Sequence, residues 1–305
     1  MNNKSNSIGL VLSGGGAKGA FQVGAWKAMC TFGYAERVSV VSGTSVGAIN
    51  GSVIAPSIGK ACLLEKFWRE NIDKILNFKL EELINSKKLM KYLLAIKNGP
   101  TKKTCSFPGI INSINLKKIL LDLVPKDWTG NVAKMYVTSL QRKEQEYALE
   151  RFELSKIPEH VDKIDRIMAS SAFPVVFNPT VINEKEYVDG GWSEKGGDNT
   201  PIEPILDEHP EIKTIIVVHC TPVKIPLADK YRSRNVDIIE IGPNNILQGP
   251  VFCVSELTGS EFLQDLSGTL AFGNKYISDY IRQGYIAASQ KFLEMRKKDD
   301  QLIID

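Results

Sequence analysis

From residue 8 onward, short apolar runs alternate with stretches of helical periodicity. Ile8-Gly-Leu-Val-Leu12 opens a strand expected at 8–13, and a helix is expected over about 19–31. A second strand at 37–42 leads into a second helix at 46–55, which Pro56 ends. This β-α-β-α alternation implies a parallel sheet. Between 60 and 97, Leu63, Leu64, Phe67, Trp68, Ile72 and Ile75 recur at helical spacing, as in helices that cover a sheet or a site. Asn98-Gly-Pro100 and Phe107-Pro-Gly109 punctuate loops, and a short helix at 115–123 stops before Pro125.

The second half is richer in strands. Segments 135–139 and 146–152 flank a polar turn and read as a β-hairpin. Residues 164–171 are helical, 175–182 extended around Pro179, and Tyr187-Val188 runs into Asp189-Gly-Gly191. Thr214-Ile-Ile-Val-Val-His219 is the continuous apolar run of a strand buried on both faces. The last strand is expected at 236–241, and helix from Ser260 on.

With 305 residues, 43% of them hydrophobic, the chain can bury a large core. It reads as a single domain over 1–305, with a helical, basic insertion at about 60–125. Cys30, Cys62, Cys105, Cys220 and Cys253 are odd in number and lack any C-x-x-C pair, so reduced thiols in a cytoplasmic protein are expected. The apolar stretch after the polar N-terminus breaks at Gly14, too early for a signal peptide. No apolar run reaches the ~20 residues of a spanning helix, so any membrane contact is expected to be peripheral. A net charge of +3 is too small to argue for nucleic acid. The charge is uneven, however: no acidic residue lies between Glu82 and Asp122, a stretch holding Lys87, Lys88, Lys91, Lys97, Lys102, Lys103, Lys117 and Lys118. It is either a solvated helix face with a Lys-rich loop or a basic amphipathic segment resting on anionic lipid.

Two turns carry the candidate chemistry. Gly43-Thr-Ser-Val-Gly47 is G-x-S-x-G at a strand-to-helix junction, where a sharp turn lifts Ser45 out of the backbone. Gly43 and Gly47 stand where a Cβ would block that turn. Ser13-Gly-Gly-Gly-Ala-Lys-Gly19 follows the first strand and leaves the N–H groups of Gly14, Gly15 and Gly16 to point at an anion. Acyl-ester cleavage needs both a nucleophile and donors for the developing oxyanion, and these two turns supply them.

The same residues resemble the patatin-like phospholipases and lysophospholipases, in particular the bacterial, neuropathy-esterase-like branch. The family's G-G-G-x-[RK]-G loop looks like Gly14 to Gly19, and its G-x-S-x-G like Gly43 to Gly47. Its A-S-x-A-x-P resembles Ala169-Ser-Ser-Ala-Phe-Pro174, and its D-G-[GA] resembles Asp189-Gly190-Gly191. Asn199-Thr-Pro201 is similar to the N-x-P that follows. The resemblance implies a three-layer α/β sandwich with a mostly parallel central sheet and a Ser45–Asp189 dyad without histidine. It also implies a phospholipid or lysophospholipid substrate and no cofactor or metal. Lys18 stands where many members have Arg, so a bidentate role would be lost; otherwise it reads as a solvated first-turn residue.

Three alternatives stay open. The order Ser45, Asp189, His219 also matches an α/β-hydrolase triad with His219 as base. Gly14, Gly16 and Gly19 fit the G-x-G-x-x-G of a dinucleotide-binding domain, although the second strand ends in Ser42-Gly43 rather than an acidic residue. A catalytically idle lipid-binding module is the third.

Overall fold

The computed structural model describes residues 7–76, 113–126, 128, 132–144, 146–174, 176–249, 265 and 267–304. Five strands form the parallel part of one sheet: β1 (Ile8–Leu12), β2 (Val38–Thr44), β3 (Lys134–Arg142), β7 (Thr214–Val218) and β8 (Asp237–Ile241). Three more, β4 (Tyr147–Glu153), β5 (Thr180–Ile182) and β6 (Lys185–Asp189), join antiparallel around β3. The order across the sheet is β5-β6-β3-β2-β1-β7-β8, with β4 alongside β3.

The apolar strands are sandwiched between helices. Leu10 and Leu12 face one large core with α1 (Ala20–Phe32), α2 (Val46–Ile54), α3 (Ala61–Leu76), α4 (Ile114–Leu123), α5 (His160–Ser170) and the C-terminal helix. Val11, Ile215 and Val217 point the other way, onto Ile202, Ile205 and Ile212 around α6 (Glu203–Glu208). The result is the expected three-layer α/β sandwich, and the expected β3–β4 hairpin is formed.

One expected boundary moves. The C-terminal helix, α7, spans Asn274–Ile304 rather than starting near 260. Before it, residues 267–269 form a turn of helix and the chain breaks at Ala271 to Gly273. Tertiary contact holds this break: the Gly249 N–H donates to Ser267 Oγ at 3.0 Å, and the backbone of Thr269 lies against Gly16. The expected loops at 98–100 and 107–109, and the lysines from Lys87 to Lys103, lie outside the described residues.

Topology places the functional end. The sheet changes winding direction between β1 and β7, and in open α/β sheets ligands bind beyond the carboxyl ends of the strands at such a point. β3 adds a second constraint. β4 covers one of its edges from Tyr136 to Arg142, so β2, paired along 134–138, and β6, paired along 139–141, share the other. They run in opposite directions and meet tip to tip: Thr44 lies opposite Thr138 and Asp189 opposite Ser139.

Candidate active site

Ser45 is the single residue between β2 and α2, at φ 56° and ψ −125°, a backbone region costly for a side-chain-bearing residue. The neighbouring glycines make this turn possible. A Cβ on Gly43 would sit 2.8 Å from Ala48 N, and one on Gly47 would sit 2.9 Å from Ser13 O. The carbonyl of Ser45 accepts from Ala48 N–H at 2.9 Å, so α2 grows directly from the turn.

Asp189, 144 residues later in sequence, ends β6 beside this turn and is 2% exposed. Its Oδ1 accepts from Gly191 N–H at 2.8 Å, while its buried Oδ2 has no hydrogen-bond partner among the described residues. Burial pushes the carboxyl up to about 6; the nearby Ser45 side chain and the Gly191 N–H offset only part of that. Among the described residues no lysine or arginine pairs with it, so the carboxylate is left basic.

The C-terminal end of α5 and the residues just after it tie these two residues together. Ser45 N–H donates to Ser170 Oγ at 3.0 Å, and that hydroxyl donates to Thr138 O at 2.6 Å. The carbonyls of Ala172 and Ser170 accept from the N–H groups of Asp189 (3.0 Å) and Gly190 (3.4 Å). Gly190 is a site of close approach, because a Cβ there would run into Thr138 O. Ser170 thus braces elbow, sheet and D-G-G turn at one point, a function for the A-S-x-A-x-P motif that its residue types do not announce.

The glycine loop lies against the serine. A Cβ on Gly14 would be 3.0 Å from Ser45 Cβ, and Gly16 has φ 56° with the backbone of Thr269 packed on it. The three glycines are not equivalent. Gly14 N–H already donates to Asn199 O at 3.1 Å, so the expectation that it offers a free donor is not met. Among the described residues, no acceptor takes the N–H of Gly15 or Gly16. Beneath the loop a buried polar chain fixes the helices: Gln22 Nε2 donates to Ser13 O (2.7 Å), Asn50 Nδ2 to Gln22 Oε1 (2.8 Å) and Trp68 Nε1 to Asn50 Oδ1 (2.8 Å).

Lys18 is not a solvated first-turn residue. It is 2% exposed, and its Nζ pairs with Asp265 Oδ1 at 2.7 Å, since a buried ammonium requires a partner. Gly19 packs its Cα against Val46 and Trp68, joining this loop to the elbow helix.

These elements enclose a pocket of about 330 Å³. Ser45, Asp189, Gly14, Gly15, Gly16, Lys18 and Gly191 line its polar end. Val46, Ile49, Phe67, Trp68, Leu116, Phe173, Val176, Phe177, Leu270 and Phe272 form apolar walls. None of the three histidines lines it. His219 Nε2 lies 3.0 Å from Glu240 Oε1, His209 contacts Tyr136 and Glu211, and His160 Nε2 contacts Leu121 O. The triad alternative therefore has no base in place, and the glycine loop faces a serine and an apolar pocket rather than a ribose-binding acid.

A family model described as patatin-like phospholipase matches residues 10–206. No curated protein matches the chain in sequence. Among solved structures, human GIVD cytosolic phospholipase A2, in complex with methyl gamma-linolenyl fluorophosphonate, is similar with a TM-score of 0.52 and 12% identity, over 97% of this chain and 58% of that one. VipD from Legionella pneumophila is similar at a TM-score of 0.48 and 16% identity, over 95% of this chain and 67% of that one. ExoU of Pseudomonas aeruginosa, in complex with SpcU, has a TM-score of 0.38 and 16% identity, over 90% and 53%. The likeness to the human enzyme is one of fold, and this chain spans about three fifths of that enzyme's length.

Proposed function

The chain belongs to the patatin-like phospholipase family, which supports lipid acyl hydrolysis, and from that premise we propose a phospholipase or lysophospholipase working through a Ser45–Asp189 dyad. One observation carries the reading. A serine on a strained elbow and a buried carboxylate with no cationic partner among the described residues converge at the polar end of an apolar pocket.

With its carboxyl near 6, Asp189 is ionised at neutral pH and basic enough to take the Ser45 proton. Ser45 Oγ then attacks the ester carbonyl, and the oxyanion is held by the N–H groups of Gly15 and Gly16, which no acceptor among the described residues takes. Collapse breaks the bond to the alcohol, which leaves with the proton from Asp189. Water, deprotonated by the same carboxylate, cleaves the acyl-enzyme and frees the fatty acid. The apolar walls suit the acyl chain. Lys18 keeps Gly16 to Gly19 in place through Asp265.

A core running from Ile8 to Phe292 supports one domain over 1–305. No helix among the described residues is long and apolar enough to cross a membrane, and we place the enzyme in the cytoplasm, meeting anionic lipid peripherally. The test is fatty-acid release from phosphatidylcholine and lysophosphatidylcholine, together with labelling by a fluorophosphonate. Ser45→Ala should lose labelling and about 10⁶ in kcat while keeping its melting temperature. A variant within tenfold of wild type would sink the reading.

A further inference from the structure

Beyond β7 the chain forms a short loop, 221–226, with the sequence Thr-Pro-Val-Lys-Ile-Pro. Thr221 lines the pocket, so the loop begins at its rim. It then turns outward. Val223 is 37% exposed, Ile225 80%, and Lys224 is exposed between them. Ile225 is the most exposed large apolar side chain among the described residues.

The loop is held rather than slack. Glu240, on β8, takes both of its ends: Oε2 accepts from Leu227 N–H at 2.7 Å, and Oε1 lies 3.0 Å from His219 Nε2. Val223 rests over Gly242, where an added Cβ would sit 3.1 Å from Val223 Cγ2. His219 and Glu240, both largely buried and outside the pocket lining, thereby fix the direction in which the loop projects.

We propose that this loop docks the protein on a phospholipid bilayer, with Ile225 and Val223 entering the interface and the pocket mouth brought down on the lipid. Two features favour a lipid surface over a protein partner. Pro222 and Pro226 bracket the tip and have no N–H, so less backbone needs hydrogen bonds as the loop leaves water. The loop is continuous with the pocket through Thr221, so docking shortens the path from bilayer to Ser45. The choice of partner rests on the lipid-hydrolase reading.

The experiment uses the full chain and vesicles of phosphatidylcholine and phosphatidylserine. Ile225→Asp should weaken vesicle binding about tenfold or more, as burial of one aliphatic side chain implies. It should leave turnover of a soluble short-chain ester unchanged. In Ile225→Trp, the introduced indole should shift its emission to the blue on vesicles and be quenched by bromine-labelled lipid, read as a difference from wild type. Ile225→Asp binding as wild type does, or an indole that stays in water on vesicle-bound protein, overturns the proposal. A wild type that binds vesicles through this loop yet turns over no ester removes the hydrolase reading and leaves the docking surface standing.

Discussion

Two carboxylates flank β3 on opposite edges and are driven in opposite directions. Glu153, opposite Tyr136 on the β4 side, is surrounded by donors: Ser155 Oγ at 2.5 Å, Lys156 Nζ at 2.7 Å and Tyr136 OH at 3.0 Å. Burial pushes its carboxyl up, but Lys156, Ser155 and Tyr136 outweigh burial and hold it down at about 2. Asp189, opposite Ser139 on the β6 side, is buried with one oxygen unpartnered among the described residues, and burial carries it up to about 6. Proximity to the same strand decides nothing here. The supply of donors does: Glu153 is a structural anion, whereas Asp189 keeps the basicity that proton abstraction needs.

Exchanging each acid for its amide tests that contrast most severely. Asp189→Asn should lower kcat/KM for ester hydrolysis by about 10⁴, in the range seen when a general base or its orienting acid is neutralised. Glu153→Gln and His219→Gln should stay within a few fold, provided melting curves show them folded. A folded His219→Gln enzyme as inactive as Asp189→Asn would overturn the dyad.

The pH profile sharpens the same point. Only ionised Asp189 accepts a proton, so kcat/KM should rise tenfold per pH unit on the acid side and level off above about 6. An acid limb with its midpoint near 4 would mean that burial does not tune the base.

Stability should separate the two acids by sign. The raised carboxyl of Asp189 favours its protonated form in the native state, so its contribution is fully present below about 4 and lost as pH rises through 6. Asp189→Asn removes that loss. The variant should therefore be more stable than wild type above pH 6, by at most about 3 kcal/mol, with the advantage gone below pH 4. Denaturant titration at both pH values is the measurement.

The smallest effect belongs to Glu153. Its depressed carboxyl stabilises the native state above its ordinary range near 4.5, and that stability disappears as pH falls through 2. Because Lys156 is 68% exposed and solvent screens the pair, Glu153→Gln should cost only about 1 kcal/mol at neutral pH. Urea unfolding with no cost at pH 7 would show that the surrounding donors contribute nothing net.

What the sequence determined by itself is the local part of this site. G-x-S-x-G and the three glycines after β1 act through sterics within a few residues: where a Cβ is forbidden, the chain turns, and the turn exposes Ser45 or leaves N–H groups bare. The alternation of apolar runs likewise determined the layered sheet, since strands buried on both faces need nearly continuous apolar sequence. The tertiary structure decided the rest, because it depends on which distant segments pair. Only register on β3 brings Asp189 against the Ser45 turn, and only the packing of α5 gives Ser170 its three-way role. The partner of Lys18 lies 247 residues away and in no motif, and the N–H of Gly14 is taken by a carbonyl 185 residues on. The basicity of Asp189 follows from burial and missing donors, properties of the folded neighbourhood that a one-dimensional pattern does not contain.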